Sequence, residues 1–347
     1  MAKHAIVLFN LGGPDGPDAV QPFLYNLFKD PAIIGLPGLF RIPLAKLIST
    51  RRAPTAQAIY AEIGGKSPLL ELTRDQATAL KQALHQAWPE DDTEVFICMR
   101  YWHPMAEQTV RDVVAYQPDD VILLPLYPQY STTTTGSSLE DWQKTAKKLG
   151  LDVPTYSICC YPVEPGWVSS QAALLKESLA SVAAGNSVRV LFSAHGLPKK
   201  IVDGGDPYQW QVEQSAAALG QAVGLNADDW AVCYQSRVGP LEWIGPSLDD
   251  ELKRAAADKV GVVILPIAFV SEHSETLVEL DIEYKHQADE LGLPSYARVP
   301  AVGTHPEFIA GLANVANAAL KNKIGLGPVD NVRYCPGNHS RCPCSVI

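Results

Sequence analysis

The segment Phe269-Val-Ser-Glu-His-Ser-Glu-Thr-Leu-Val-Glu-Leu-Asp281 sets a histidine among carboxylates directly after an aliphatic run, Val262 to Ile267. Glu275, Glu279 and Glu283 recur every four residues, so on an α-helix they form one stripe. Like charges stacked this way repel, and Lys285 is the only nearby cation in the sequence. A divalent cation or a stream of protons suits such a stripe; a solvated helix face is the ordinary alternative. His195, in Ser193-Ala-His-Gly-Leu-Pro198, follows a second apolar run and is a candidate base near neutral pH. A turn histidine bonding a carbonyl is its plainer reading. Together with His273, Glu275 and Glu279, it suits metal handling and proton removal.

Cysteine makes a second centre. Cys335, Cys342 and Cys344 are spaced C-x6-C-x-C in a Pro/Gly-rich tail with little apolar mass to order it, so a metal or cluster is a fitting staple. A 2Fe–2S cluster needs a fourth ligand, and Cys159 or Cys160 at a strand end can supply it. Neighbours on a strand face opposite sides, so one of the two points inward. His339 makes a Cys3His zinc site the competitor. The terminal Cys-Ser-Val-Ile also resembles a prenylation signal, but no polybasic segment precedes it. Cys98 and Cys233 lie in apolar runs and read as inert core.

Gly12-Gly13-Pro14 lacks the spacing of a nucleotide loop. The hydroxyl-rich stretch Ser131 to Ser138 fits an anion site or a helix cap. Arg51, Arg52 and Arg100 are the better partners for ligand carboxylates, because guanidinium groups bind them bidentately.

These residues need strand ends to hold them. Apolar runs at His4–Phe9, Glu94–Arg100, Val121–Leu126, Thr155–Cys160, Ser187–Ser193, Trp230–Gln235, Val260–Phe269 and Ser295–Val302 alternate with helical periodicity at Leu70–Ala87, Pro104–Ala115, Gln171–Ala184 and Gln209–Val223. The halves correspond: Ile122-Leu-Leu-Pro-Leu126 matches Val263-Ile-Leu-Pro-Ile267, and Leu8-Phe-Asn-Leu-Gly-Gly-Pro14 matches Leu191 to Pro198. The expected fold is α/β, with two Rossmann-like, doubly wound domains of similar topology, each on a four-stranded parallel sheet. The expected bounds are 1–157, 158–303 and a C-terminal helix and tail over 304–347, with the active site in the cleft between the halves.

With 347 residues and a formal charge of −10, the chain has no basic stretch for nucleic acid. The N-terminal apolar run is too short for a secretory signal, and no run reaches the roughly 18 apolar residues of a membrane span. Seven cysteines without a signal point to a reducing, cytoplasmic setting. Residues 32–48 are greasy and broken by Pro37 and Pro43. They read as a core loop plus short helix, or as an exposed apolar lip for a membrane face or greasy ligand.

The chain resembles the protoporphyrin ferrochelatases. The likeness is carried by Asn10-Leu-Gly-Gly-Pro14, Arg51-Arg-Ala-Pro54, Gly64-Gly-Lys-Ser-Pro68, Arg100-Tyr-Trp-His-Pro104, Pro128-Gln-Tyr-Ser131, Ser193 to Pro198, Gln235 to Pro246 and the segment through Asp281. The resemblance implies insertion of ferrous iron into protoporphyrin IX, with His195 facing the macrocycle and Glu275 opposing or supporting it. It implies His273 and Glu279 as an acidic path behind, and His195 and Glu275 as contacts of the Fe2+ substrate. Arg52, Tyr60 and Ser67 would contact porphyrin carboxylates, with Leu11, Arg100, Tyr101 and Phe269 lining the pocket; position 11 varies in the family. The tail resembles the bacterial 2Fe–2S version, and the lip at 32–48 gains a reason as a peripheral membrane contact. A homodimer stays open. Coproporphyrin or another tetrapyrrole is the alternative substrate, and a non-catalytic porphyrin-binding protein with a redox cluster the alternative class.

Overall fold

The computed structural model describes residues 1–182, 187–237, 239, 241–328 and 332–346; the expected helix end at Ala184 and positions 238 and 240 of the Gln235–Pro246 motif lie outside them. In chain order the main elements are β1 (Lys3–Asn10), α1 (Val20–Phe28), α2 (Gly38–Ala61), α3 (Leu69–Ala87), β2 (Asp92–Met99), α4 (Ala106–Tyr116), β3 (Asp120–Pro125), α5 (Ser137–Leu149) and β4 (Thr155–Ser157). They continue with α6 (Pro165–Val182), β5 (Val188–His195), α7 (Lys199–Asp203), α8 (Tyr208–Val223), β6 (Trp230–Gln235), α9 (Leu248–Asp258), β7 (Gly261–Pro266), a π-helix (Glu275–Tyr284), α10 (Lys285–Glu290), β8 (Tyr296–Arg298) and α11 (Pro306–Asn322).

Each apolar run expected as a strand contains one. The strands form two sheets in the orders β2-β1-β3-β4 and β6-β5-β7-β8, parallel throughout, so the second repeats the first. Central strands of such sheets are covered on both faces, which is why β3 and β7 read as unbroken aliphatic runs. Both end at a proline that supplies no N–H to the ladder, Pro125 opposite Phe9 and Pro266 opposite Ser193. The next residue resumes the bond in each sheet: Leu126 N–H to Phe9 at 2.8 Å and Ile267 N–H to Ser193 at 2.9 Å.

The chain divides into two compact units: 1–127 with 131–159 and 313–331, and 128–130 with 160–312 and 332–347. Residues 304–347, read from sequence as one C-terminal segment, are thus shared, with the division falling inside α11. Cys159 and Cys160 fall on opposite sides of it as well.

The first unit packs α4 and α5 against its sheet through Val110, Val113, Leu139 and Trp142. In the second, Leu248, Leu252 and Ala255 of α9 and Leu280 of the π-helix cover Leu191, Val262 and Ile264. Parallel sheets bind ligands outside the strand C-termini where the order reverses. In the first unit that point lies between β1 and β3, in the second between β5 and β7.

The greasy stretch resolves differently from a short helix: residues 38–61 form one 24-residue helix that tolerates Pro43 and Pro54 inside it. Leu39, Phe40 and Ile42 are 81%, 64% and 51% exposed, which makes the lip an apolar surface. Arg41 anchors it from within, donating to the Lys29 carbonyl at 2.8 Å and to that of Leu36. Among the described residues no helix is long and apolar enough to cross a membrane.

Candidate active site

In the second unit, β5 ends on His195, and the segment after β7 brings Glu275 to it: Nδ1 and Oε2 are 2.9 Å apart. The Tyr208 hydroxyl of α8 donates to the His195 carbonyl at 3.1 Å, fixing the strand end. Burial pushes the imidazolium down, but the charge and hydrogen bond of Glu275, with the charge of Glu279, outweigh it and hold the His195 pKa above its usual value. Burial likewise raises Glu275, yet His195 and His273 bring it down to about 2. With Nδ1 turned to the carboxylate, the edge carrying Nε2 remains for a substrate, and the imidazole is 40% exposed.

His273 plays a different part from His195. Its Nδ1 accepts the backbone N–H groups of Glu275 at 3.2 Å and Thr276 at 3.3 Å, so it caps the following helix. A nitrogen that accepts is unprotonated, which puts the ring proton on Nε2. Burial is the leading cause that drives its pKa down. The ring also meets Phe269 edge-on, with centroids 4.4 Å apart.

The carboxylate stripe does not lie on an α-helix. Glu275–Tyr284 is a π-helix, a wider turn with i→i+5 bonding that concentrates at functional sites. Glu275 and Glu279 are half-buried while Glu283 is exposed, so the stripe shortens to a pair. Glu279 accepts from Ser236 N–H at 2.8 Å, Ser236 Oγ at 2.5 Å and Gln235 Nε2 at 3.1 Å. Ser236 reaches it from a left-handed conformation with φ 60, unusual for a side-chain-bearing residue. Gln235 is itself held by Ser193 Oγ at 2.7 Å. Burial and the neighbouring Glu275 charge raise the Glu279 pKa, so two adjacent carboxyls are pushed apart in acidity.

Sequence reasoning missed the residue that holds this segment. Arg298 of β8 grips Asp281 through Nε and Nη2, both at 2.7 Å, and Glu272 through Nη1 at 2.8 Å. The acids flanking the pair are therefore laced after all, by a cation that follows them at a distance and has no local signal. Lys285 pairs instead with Asp289.

The first unit brings Leu11, Tyr60 and Tyr101 into one apolar cluster with Val20, Phe23 and Leu24. Ser67 is buried beneath Gly13, where an added Cβ would collide with its hydroxyl. Gly12, at φ +83, and Gly13 thus serve close packing of backbone, as the lack of nucleotide-loop spacing anticipates. Arg52 is exposed and lies over the Phe28 ring, 5.8 Å from its centroid. Arg100, expected to pair a ligand carboxylate, is engaged internally: Nη2 meets Asp30 at 2.7 Å and Nε meets Ser137 at 2.7 Å. Asp30 is only 3% exposed and takes the Tyr101 hydroxyl at 2.8 Å as well. A buried carboxylate needs such partners, and nothing near Asp30 in sequence announces them. In the hydroxyl-rich loop, Ser131 Oγ accepts from Thr133 N–H at 3.1 Å, which makes it a cap.

The tail docks on the second unit. Gly205, at φ +96, lies so close to Ser340 that any Cβ there would collide with it, and its carbonyl accepts Arg341 N–H at 3.1 Å. Cys335, Cys342 and Cys344 are buried, and hydrogen bonds among them raise the Cys335 thiol and lower that of Cys342. Gln211 Nε2 reaches both Cys335 Sγ at 3.2 Å and Cys160 Sγ at 3.4 Å. Cys160 thus shares this amide donor with Cys335 of the tail, while the Cys159 N–H donates to the Gly327 carbonyl at 2.9 Å. The His339 ring packs on Trp210, with centroids 6.0 Å apart. Among the described residues no three or more His, Cys, Asp and Glu groups are arranged to hold a metal ion. Cys98 and Cys233 are buried elsewhere in the sheets, and burial pushes the Cys98 thiol up to about 12.

The Ferrochelatase family model matches residues 3–320. The chain is 55% identical over 346 residues to the ferrochelatase of Caulobacter vibrioides, covering 99% of this chain and 97% of that one. It is 54% identical over 342 residues to that of Phenylobacterium zucineum, covering 99% and 98%. Among solved structures, the sirohydrochlorin chelatase SirB from Bacillus subtilis subspecies spizizenii in complex with cobalt aligns over 93% of this chain and 97% of its own, with a TM-score of 0.54 and 11% identity. At that identity the likeness concerns the fold. The chain belongs to the ferrochelatase family.

Proposed function

We propose that this enzyme inserts ferrous iron into protoporphyrin IX to form protohaem, with His195 as proton acceptor. The observation that carries the reading is the 2.9 Å contact between His195 Nδ1 and Glu275 Oε2. Metalation releases two pyrrole protons, so the enzyme needs a base and an exit for charge. Neutral His195 donates from Nδ1 to Glu275 and offers the Nε2 lone pair to a pyrrole N–H. The imidazolium that results is stabilised by the Glu275 carboxylate. Glu279, whose pKa is raised, is the next proton holder outward. His195 and Glu275 are also the first anionic and lone-pair groups for incoming Fe2+. His273 acts by accepting the N–H groups of Glu275 and Thr276 on Nδ1, which fixes the start of the helix that carries Glu275, and by seating Phe269.

Tyr60, Ser67 and Arg52 are the proposed contacts for porphyrin carboxylates, with Leu11, Tyr101 and Phe269 as apolar lining. Arg100 serves by holding Tyr101 through their shared partner Asp30. The exposed side chains of Leu39, Phe40 and Ile42 support peripheral contact with a membrane surface, where a greasy porphyrin can be exchanged. They also favour protoporphyrin over the more highly charged coproporphyrin.

Cys160, Cys335, Cys342 and Cys344 suit a 2Fe–2S cluster: four buried thiols with a buried amide donor aimed at two of them. Such a group supplies one-electron chemistry when bound, and no step of iron insertion needs it here. The Cys3His zinc alternative is disfavoured because His339 faces Trp210.

Anaerobic insertion of ferrous or zinc ion into protoporphyrin and coproporphyrin, with His195→Ala and Glu275→Gln beside the native chain, tests the assignment. Activity on protoporphyrin that vanishes in both variants is the expected result. Full activity in both variants sinks the mechanism, and a preference for coproporphyrin replaces the substrate.

A further inference from the structure

Gln211 lies on α8 with its side chain wholly buried. Its Oε1 accepts the Tyr130 backbone N–H at 2.7 Å. A backbone N–H can only donate, so this contact decides which end of the amide is oxygen. The Nε2 end therefore faces sulfur, with Cys335 Sγ at 3.2 Å and Cys160 Sγ at 3.4 Å. A thiol is a weak acceptor, and burying an amide against two of them gains little. The same amide beside sulfurs that carry negative charge makes charge-assisted bonds of about twice the strength.

We propose that Gln211 sets the reduction potential of a 2Fe–2S cluster held by Cys160, Cys335, Cys342 and Cys344; this rests on the cluster reading above. One-electron reduction by an external donor turns one ferric ion ferrous, with no atom transferred, and adds a negative charge that the ligating sulfurs share. Donors aimed at those sulfurs favour the more negative state and raise the potential. The Tyr130 bond keeps Gln211 from turning away, so the donation is built in. The amide reaches one thiol from each of the two chain segments, which places it at their junction.

The test uses the full chain, purified anaerobically. Iron and acid-labile sulfide are counted first, with the visible spectrum. The native protein, Gln211→Met and Gln211→Glu are then titrated with dithionite against mediator dyes. The Glu variant keeps Oε1 for Tyr130 and loses the donor, so it carries the test if the Met variant sheds its cluster. At a fixed poise, the oxidised-to-reduced ratio should rise about tenfold in the variants, which for one electron is a fall of about 59 mV. Native protein without iron and sulfide overturns the cluster reading and this inference with it. A normal cluster with equal potentials in native and variant proteins overturns the role of Gln211 alone.

Discussion

His195 Nδ1 lies 2.9 Å from Glu275 Oε2, and the two groups shift each other's acidity in opposite directions: the imidazole upward, the carboxyl to about 2. Proton acceptance requires neutral His195, so the rate should rise with pH through its elevated pKa. Glu275→Gln removes the charge that elevates it, and the acid limb of the pH–rate profile should move to lower pH. The maximal rate should also fall about 10²–10⁴-fold, the usual worth of a positioned base and its partner. Insertion rates between about pH 5 and 8 check this; an acid limb that stays in place in the variant refutes the pairing.

Arg298 spans the start and middle of the segment that presents Glu275. Its side chain is 10% exposed, against 21% for Glu272 and 36% for Asp281. Arg298→Gln strands both carboxylates, with an expected cost of about 1–3 kcal/mol, below the range for fully buried pairs because Asp281 keeps its water. Arg298→Lys keeps the charge but loses the planar fork, so it should recover only part of the loss. Denaturant unfolding of both variants measures it, and equal stability of Gln and native proteins would falsify the clamp.

His4 sits at the opposite end of the first sheet, 2.8 Å from Asp120 and 3.5 Å from Asp91, with Trp88 against its ring. Its pKa is raised, first by the hydrogen bond to Asp120. A raised histidine stabilises the fold fully below its unfolded value near 6.5 and loses that contribution as pH rises through the folded value. His4→Gln should therefore cost about 1–3 kcal/mol near pH 6, and the gap to native should narrow near pH 9. Thermal melts at the two pH values decide it; a gap that widens with pH reverses the sign and removes the claim.

Leu39 and Phe40 project from α2 without cover. Leu39→Asp and Phe40→Asp should leave stability within about 0.5 kcal/mol, as surface changes do. Partitioning onto anionic lipid vesicles should weaken about tenfold for each, since a buried Leu or Phe is worth roughly 1.5–3 kcal/mol. Co-sedimentation reads the effect, and unchanged binding would leave the lip without a membrane role.

Local pattern made the scaffold legible. Strand burial is written into runs such as Val121–Pro125 and Val262–Pro266, because a strand covered on both faces tolerates little else. The repeated Leu-Pro stop pointed to two like sheets, and His195 at the end of β5 and Glu275 beyond β7 lie where such sheets bind ligands. The three tail thiols were equally plain as a group. Tertiary structure alone decided the pairings. That one amide on α8, Gln211, reaches both Cys160 and Cys335 of the tail depends on how the helix packs, and sequence periodicity carries no such information. The stripe of three acids became a pair because packing half-buries Glu275 and Glu279 and leaves Glu283 exposed. Arg298 reaches Asp281, and Asp30 reaches Arg100, only because sheet order and helix packing bring distant segments together. Hydrophobic patterning is a property of neighbours in the chain; charge pairing is a property of neighbours in space.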